Sequence, residues 1–114
     1  MKANSATFLY ENDLTWEFPA PGIRRQIMGY DENLMIVKVE FEPGADGGGF
    51  HSHPHAQSSM ILSGAFEMSI GDETKILRQG DGFYAAPDVK HMAKCLEKGA
   101  ILDAFSPARA DFLK

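Results

Sequence analysis

The chain reads first as a series of short segments in which apolar and polar residues alternate. Val37-Lys38-Val39-Glu40-Phe41-Glu42 alternates strictly, the pattern of a strand with one face in a core and the other in water. Pro43-Gly44 ends it. Ala65 to Ile70 alternates again with Phe66, Met68 and Ile70 on one face, and Gly71-Asp72 turns the chain into Thr74–Leu77. Gly80-Asp81-Gly82 and Pro87-Asp88 bracket the short strand Phe83–Ala86. His91–Leu96 and Ala100–Phe105 follow, separated by Glu97-Lys98-Gly99. Trp16–Phe18 and Ile23–Met28 form two more short strands around Pro19 and Pro21-Gly22. Many short strands, with 11 glycines and 6 prolines among them, predict an all-β antiparallel sandwich or small barrel. The one helical signal is the C-terminal tail. There Ser106 and Pro107 suit the N-cap and first helical position ahead of Ala108–Leu113, a stretch that gives one helical turn or an irregular tail.

With 114 residues the chain is sized for one domain spanning 1–114. A net charge of −5 leaves no basic footprint for a nucleic-acid backbone. Strictly apolar runs such as Leu34–Val37 stop far short of the roughly 20 residues of a membrane-spanning helix. Cys95 is the only cysteine, which excludes an intrachain disulfide and a two-cysteine zinc site. It is expected as a small buried hydrophobe, with Met60, Met68 and Met92 filling the barrel. The segment MKANSATFLY has no apolar core of a secretory signal, so a cytoplasmic location is expected.

The chemistry concentrates in the histidines. Three of the four lie in His51-Ser52-His53-Pro54-His55, Gln57 follows, and His91 opens a later strand. Residues two apart on an extended segment project to one side, so positions 51, 53, 55 and 57 share a face. Neutral imidazoles converging in a barrel mouth suit Zn, Fe, Ni or Cu. Parity alone does not choose among the three clustered histidines, and Pro54 is placed to turn one of them away.

These residues resemble the cupins. Pro43-Gly44, His51-x-His53-x-x-x-Gln57, Leu62-x-Gly64 and Gly71 are similar to the first cupin motif; Gly80-Asp81-Gly82 with Pro87-x-x-x-His91 is similar to the second. The resemblance covers about residues 36–105. It implies a double-stranded β-helix (jelly-roll barrel), a tendency to form homodimers, and one divalent transition metal (Ni, Zn, Fe or Mn) held by His51, His53, Gln57 and His91. His55 falls between the matched positions. A carboxamide at 57, where many cupins carry glutamate, leaves the ion its full double charge. That favours Lewis-acid action over redox chemistry.

A narrower resemblance covers nearly the whole chain. Ile23–Tyr30, His51–Gln57 and the run Leu102-Asp103-Ala104-Phe105-Ser106-Pro107-Ala108-Arg109 are similar to the KdgF-type cupins. Those open the ring of 4,5-unsaturated monouronates from pectin and alginate, giving linear 4-deoxy-5-keto uronates. The resemblance implies that Asp103, Phe105 and Arg109 line the pocket for a small anionic sugar acid. Such roles suit the residue types: a carboxylate to carry protons, a ring to pack on a sugar, and a guanidinium to grip a carboxylate. An exposed Arg109 could equally pair with Asp111 or Glu97, and Phe112 and Leu113 read best as core or dimer contacts. Strand alternation places one of Arg24 and Arg25 inside without saying which. The rival readings are a cupin dioxygenase and a non-catalytic sugar- or metal-binding cupin.

Overall fold

The computed structural model describes residues 4–113. Seven antiparallel strands account for most of them: β1 Glu17–Ala20, β2 Ile23–Tyr30, β3 Met35–Phe41, β4 Ala56–Ile70, β5 Glu73–Arg78, β6 Gly82–Ala85 and β7 His91–Ser106. They pair in the order β1-β2-β3-β7-β4-β5, with β6 added along β4. The expected all-β antiparallel barrel is what forms. Alternation along β3 is strict in the structure too, with Met35, Val37, Val39 and Phe41 buried and the residues between them only half covered.

Two features depart from the sequence expectation. The segments on either side of Glu97-Lys98-Gly99 are one strand, β7, and β4 begins nine residues before Ala65. These two long strands pair along nearly their whole lengths, from Ala56↔Ser106 to Ile70↔His91, with register shifts between Ile61 and Phe66. The shifts bend both strands. β7 then reaches the site from both halves, with His91 at its start and Asp103 and Phe105 near its end. Backbone bonds from Gly44 N to the Cys95 carbonyl and from Cys95 N to the Ala45 carbonyl draw the loop after β3 onto β7. The Phe41 and Phe66 rings meet edge to face at 5.0 Å, a favourable geometry.

The bend is possible only because the two strands touch main chain to main chain. A Cβ on Gly99 would lie 2.0 Å from the Ser63 carbonyl oxygen. On Gly64, whose φ is +80°, it would lie 2.5 Å from the carbonyls of Glu97 and Lys98. Gly99→Ala is therefore expected to destabilise the fold by about 3 kcal/mol or more. Thermal denaturation reads this as a Tm lower by roughly 10 °C or more.

The core is built from Ile23, β3, Ile61, Phe66, Cys95, Ile101 and Phe105. Cys95 is buried as expected. Of the three methionines expected in the barrel, Met68 is buried and Met92 half-buried, but Met60 faces out at 43% exposure. It sits on the even-numbered, outer face of β4. The tail, expected as one helical turn or irregular chain, forms a short 3-10 turn that starts beyond Ser106-Pro107. Ser106 ends β7, its hydroxyl donates to the Asn33 carbonyl at 2.8 Å, and a 3-10 turn follows at Ala110–Leu113. A second 3-10 turn, Glu11–Asp13, had no clear sequence signal. No helix is long and apolar enough to cross a membrane among the described residues.

Candidate metal centre and pocket

His51, His53 and His91 come together, with one ring nitrogen of each within 4.8 Å of the others. Their main chains are joined as well: His51 and His91 exchange both backbone hydrogen bonds, at 3.0 and 2.8 Å, and Asp88 N donates to the His53 carbonyl at 2.8 Å. The start of β7 thus carries one imidazole to the loop that carries the other two. His55 is not in the group. Beyond Pro54 its carbonyl, rather than its ring, serves the site by accepting the His53 Nδ1–H at 2.9 Å.

The hydrogen bonds indicate what this group can hold. His53 donates Nδ1–H to the His55 carbonyl, and His91 donates Nδ1–H to the Val89 carbonyl at 3.0 Å. Each ring then turns its Nε2 lone pair inward, the arrangement that orients metal-binding imidazoles. His91 Nε2 is buried with no hydrogen-bond partner among the described residues, a costly state without a cation. Burial holds the pKa of both His51 and His91 below the ordinary value, aided by the neighbouring imidazoles, so neutral rings are favoured. Three imidazoles with ring nitrogens this close together, two of them with Nε2 lone pairs turned inward, fit a divalent transition metal.

Gln57 and Ser59, on the inner face of β4, join Asp103 of β7 below the histidines. The Gln57 carboxamide donates one N–H to Ser59 Oγ at 3.1 Å and the other to Asp103 Oδ1 at 3.0 Å. Ser59 Oγ–H donates to the same carboxylate oxygen at 2.6 Å. With both its hydrogens committed, the carboxamide must present Oε1 to His53 Nε2, 3.0 Å away. Two acceptors facing at that distance repel, and a cation between them removes the repulsion. Ser59 went unnoticed in the sequence, although its parity with Gln57 marks it as inward-facing. Asp103 keeps an opening to the cavity but is otherwise enclosed. Burial raises its pKa, and the hydrogen bonds from Ser59 and Gln57 and the charge of Arg109 offset part of that rise.

His51, Gln57 and Asp103 border a cavity of about 380 Å³, which also takes in Arg25, Phe105, Arg109 and Phe112. A larger groove of about 700 Å³ runs past Phe18, Pro21 and Lys98; none of these histidines borders it, and it carries none of this chemistry. Arg109 lies with its guanidinium carbon 5.1 Å from the Phe105 ring centre and 4.2 Å from that of Phe112. It also makes a two-pronged pair with Asp111, at 3.1 and 2.9 Å. Arg109 thus makes the pairing with Asp111 that the sequence offered, and its side chain, only 15% exposed, also borders the cavity. Asp111 is held below the usual carboxylate range by that hydrogen bond. The structure also settles the arginine pair on β2. Arg25 lines the cavity, whereas Arg24 faces out to Glu40 and lies 3.7 Å over the Trp16 ring. Phe112 packs against the core as expected, and it lines the cavity besides.

Known proteins give a consistent comparison. A family model for the cupin domain matches residues 37–103, well over half the chain. The pectin degradation protein KdgF of Dickeya dadantii (strain 3937) is 37% identical over 107 residues, covering 93% of this chain and 97% of the relative. An RmlC-like cupin from Shewanella frigidimarina NCIMB 400 superposes with a TM-score of 0.93 at 37% identity, over 97% of this chain and 99% of that one. KdgF from Halomonas sp. superposes with a TM-score of 0.88 at 36% identity, over 93% and 99% of the two chains. The chain thus belongs to the cupin family and is similar, within it, to the KdgF proteins.

Proposed function

We propose that this protein opens the ring of a 4,5-unsaturated monouronate, from pectin or alginate oligomers, to the linear 4-deoxy-5-keto uronate. The observation that carries the reading is the placement of Asp103. Its enclosed carboxylate lies on the cavity wall, hydrogen-bonded to Gln57 beside three metal-competent imidazoles. Similarity to the two KdgF proteins supports the same substrate class.

His51, His53, His91 and the Oε1 of Gln57 are the groups that would hold the metal. When bound, a divalent ion supplies positive charge for an oxygen anion as it develops. The free N–H groups of Arg109 bind the substrate carboxylate, and Phe105 packs on the sugar ring and excludes water. Asp103 accepts the proton of the C1 hydroxyl. The C1–O5 bond breaks as C1 becomes an aldehyde, and its electron pair leaves on O5 as an enolate across C4 and C5. Asp103 returns the proton to C4, and C5 becomes the ketone. The raised pKa of Asp103 suits a group that both takes and gives a proton.

The test follows the ultraviolet absorbance of the C4–C5 enol ether. Purified protein is expected to speed its loss, and chelation is expected to stop that in step with the metal removed, as read by elemental analysis. One equivalent of a divalent metal should restore it. Full activity in metal-free protein would overturn the metal dependence, and oxygen uptake matched to substrate loss would favour the dioxygenase reading.

A further inference from the structure

Arg25 occupies an unusual place. It lies between Ile23 and Ile27 on the inward parity of β2 and pairs across to Val39 of β3. An arginine there loses hydration that its partners must replace. Glu17 replaces part of it, accepting from Nε at 2.8 Å. The guanidinium carbon also lies 3.8 Å from the centre of the Phe112 ring, which Arg109 approaches at 4.2 Å. The four terminal N–H groups of Arg25 donate to no acceptor among the described residues, and the side chain is only 20% exposed. Arg25 is thus a largely enclosed cation with unused donors bordering the cavity of Asp103 and Arg109.

We infer that Arg25 is a substrate-binding residue: with Arg109 it forms a two-guanidinium clamp around Phe112 that selects a carboxylate-bearing sugar over a neutral one. The geometry is compatible with one small ligand. β3 alone separates β2 from β7, and Arg25 registers through Val39 with Ile101, two residues from Asp103, so the two residues start about 12 Å apart, two strand spacings across and two residues along, and the arginine side chain shortens that gap. Glu17 and Phe112 fix the plane of the guanidinium, so little freedom is lost when an anion docks. In a chain of net charge −5, two such cations at one cavity wall provide the local positive field an acidic substrate needs.

The inference rests on the proposed ring opening, and the experiment separates the two. Arg25→Gln is expected to raise KM for the unsaturated uronate about 10- to 100-fold, the usual consequence of losing a charged hydrogen bond. kcat should stay within threefold, with metal content and Tm unchanged. Arg25→Lys keeps the cation and should recover part of the affinity; Arg24→Gln, on the outer face, should match wild type. Equilibrium titration provides the second arm. Galacturonate, a saturated uronate, should bind wild type more tightly than galactose does, and Arg25→Gln should erase the difference. That second result would support Arg25 even if no unsaturated uronate were turned over, an outcome that would sink only the ring-opening reading. An unchanged KM, a loss confined to kcat, or equal binding of the two sugars by wild type would overturn the clamp.

Discussion

Asp103→Ala is expected to slow ring opening by about 10²- to 10⁴-fold, the range that a positioned acid–base group contributes. The other carboxylates nearby are engaged: Glu17 with Arg25, Asp111 with Arg109, and Asp46, which also borders the cavity, with the Gly48 N–H. Metal content should nevertheless hold. The imidazoles are oriented by the carbonyls of His55 and Val89, not by Asp103. Ser59 Oγ also remains to accept from the Gln57 carboxamide. Initial rates and elemental analysis on the same preparation separate the two effects. A variant within tenfold of wild type would show that the proton is carried elsewhere, and loss of metal along with activity would make Asp103 a structural prop of the centre.

Gln57→Glu should be nearly as damaging, although glutamate is a common cupin ligand at this position. The carboxamide is defined by what lies behind it. Its N–H groups satisfy Ser59 and Asp103, and the substitution sets a carboxylate oxygen about 3 Å from Asp103 Oδ1 in place of a donor. Two like charges about 4 Å apart in a partly enclosed site repel by on the order of 4 kcal/mol. One carboxylate relieves this by keeping a proton, at the expense of the base. An activity loss of up to about 10³-fold is expected, since each 1.4 kcal/mol is a factor of about ten. The repulsion should also lower Tm, and pairing the change with Asp103→Asn should restore Tm without restoring activity. If Gln57→Glu alone retains full activity, the Ser59–Gln57–Asp103 network is not what fixes the residue at 57.

The same network explains where the sequence was hard to read. The first half of β4 gave no strand signal because its inward residues, Gln57 and Ser59, are polar and serve the site, while outward Met60 is apolar and exposed. Alternation there runs against the usual rule. The apparent break at Glu97-Lys98-Gly99 is a bend, and the glycine needed for close backbone approach looks locally like a turn. Arg25 was open to the same parity argument as its neighbours Ile23 and Ile27. A charge on an inward position is read as exposed unless the cavity beside it is known.

What the amino-acid sequence determined by itself was the alternation that makes strands, the glycine and proline punctuation that makes a barrel of them, and the histidine spacing that marks a metal-competent motif. Those signals are local, written within a few residues of one another. Which of two adjacent arginines enters, that Phe112 borders the cavity, and that Ser59 joins Gln57 and Asp103 were decided only by the tertiary structure. Each depends on contacts between segments far apart in the chain, such as Gln57 with Asp103 or Arg25 with Phe112. Long-range pairing is set by the bend in β4 and β7, and no periodicity along one strand encodes what its partner will bring.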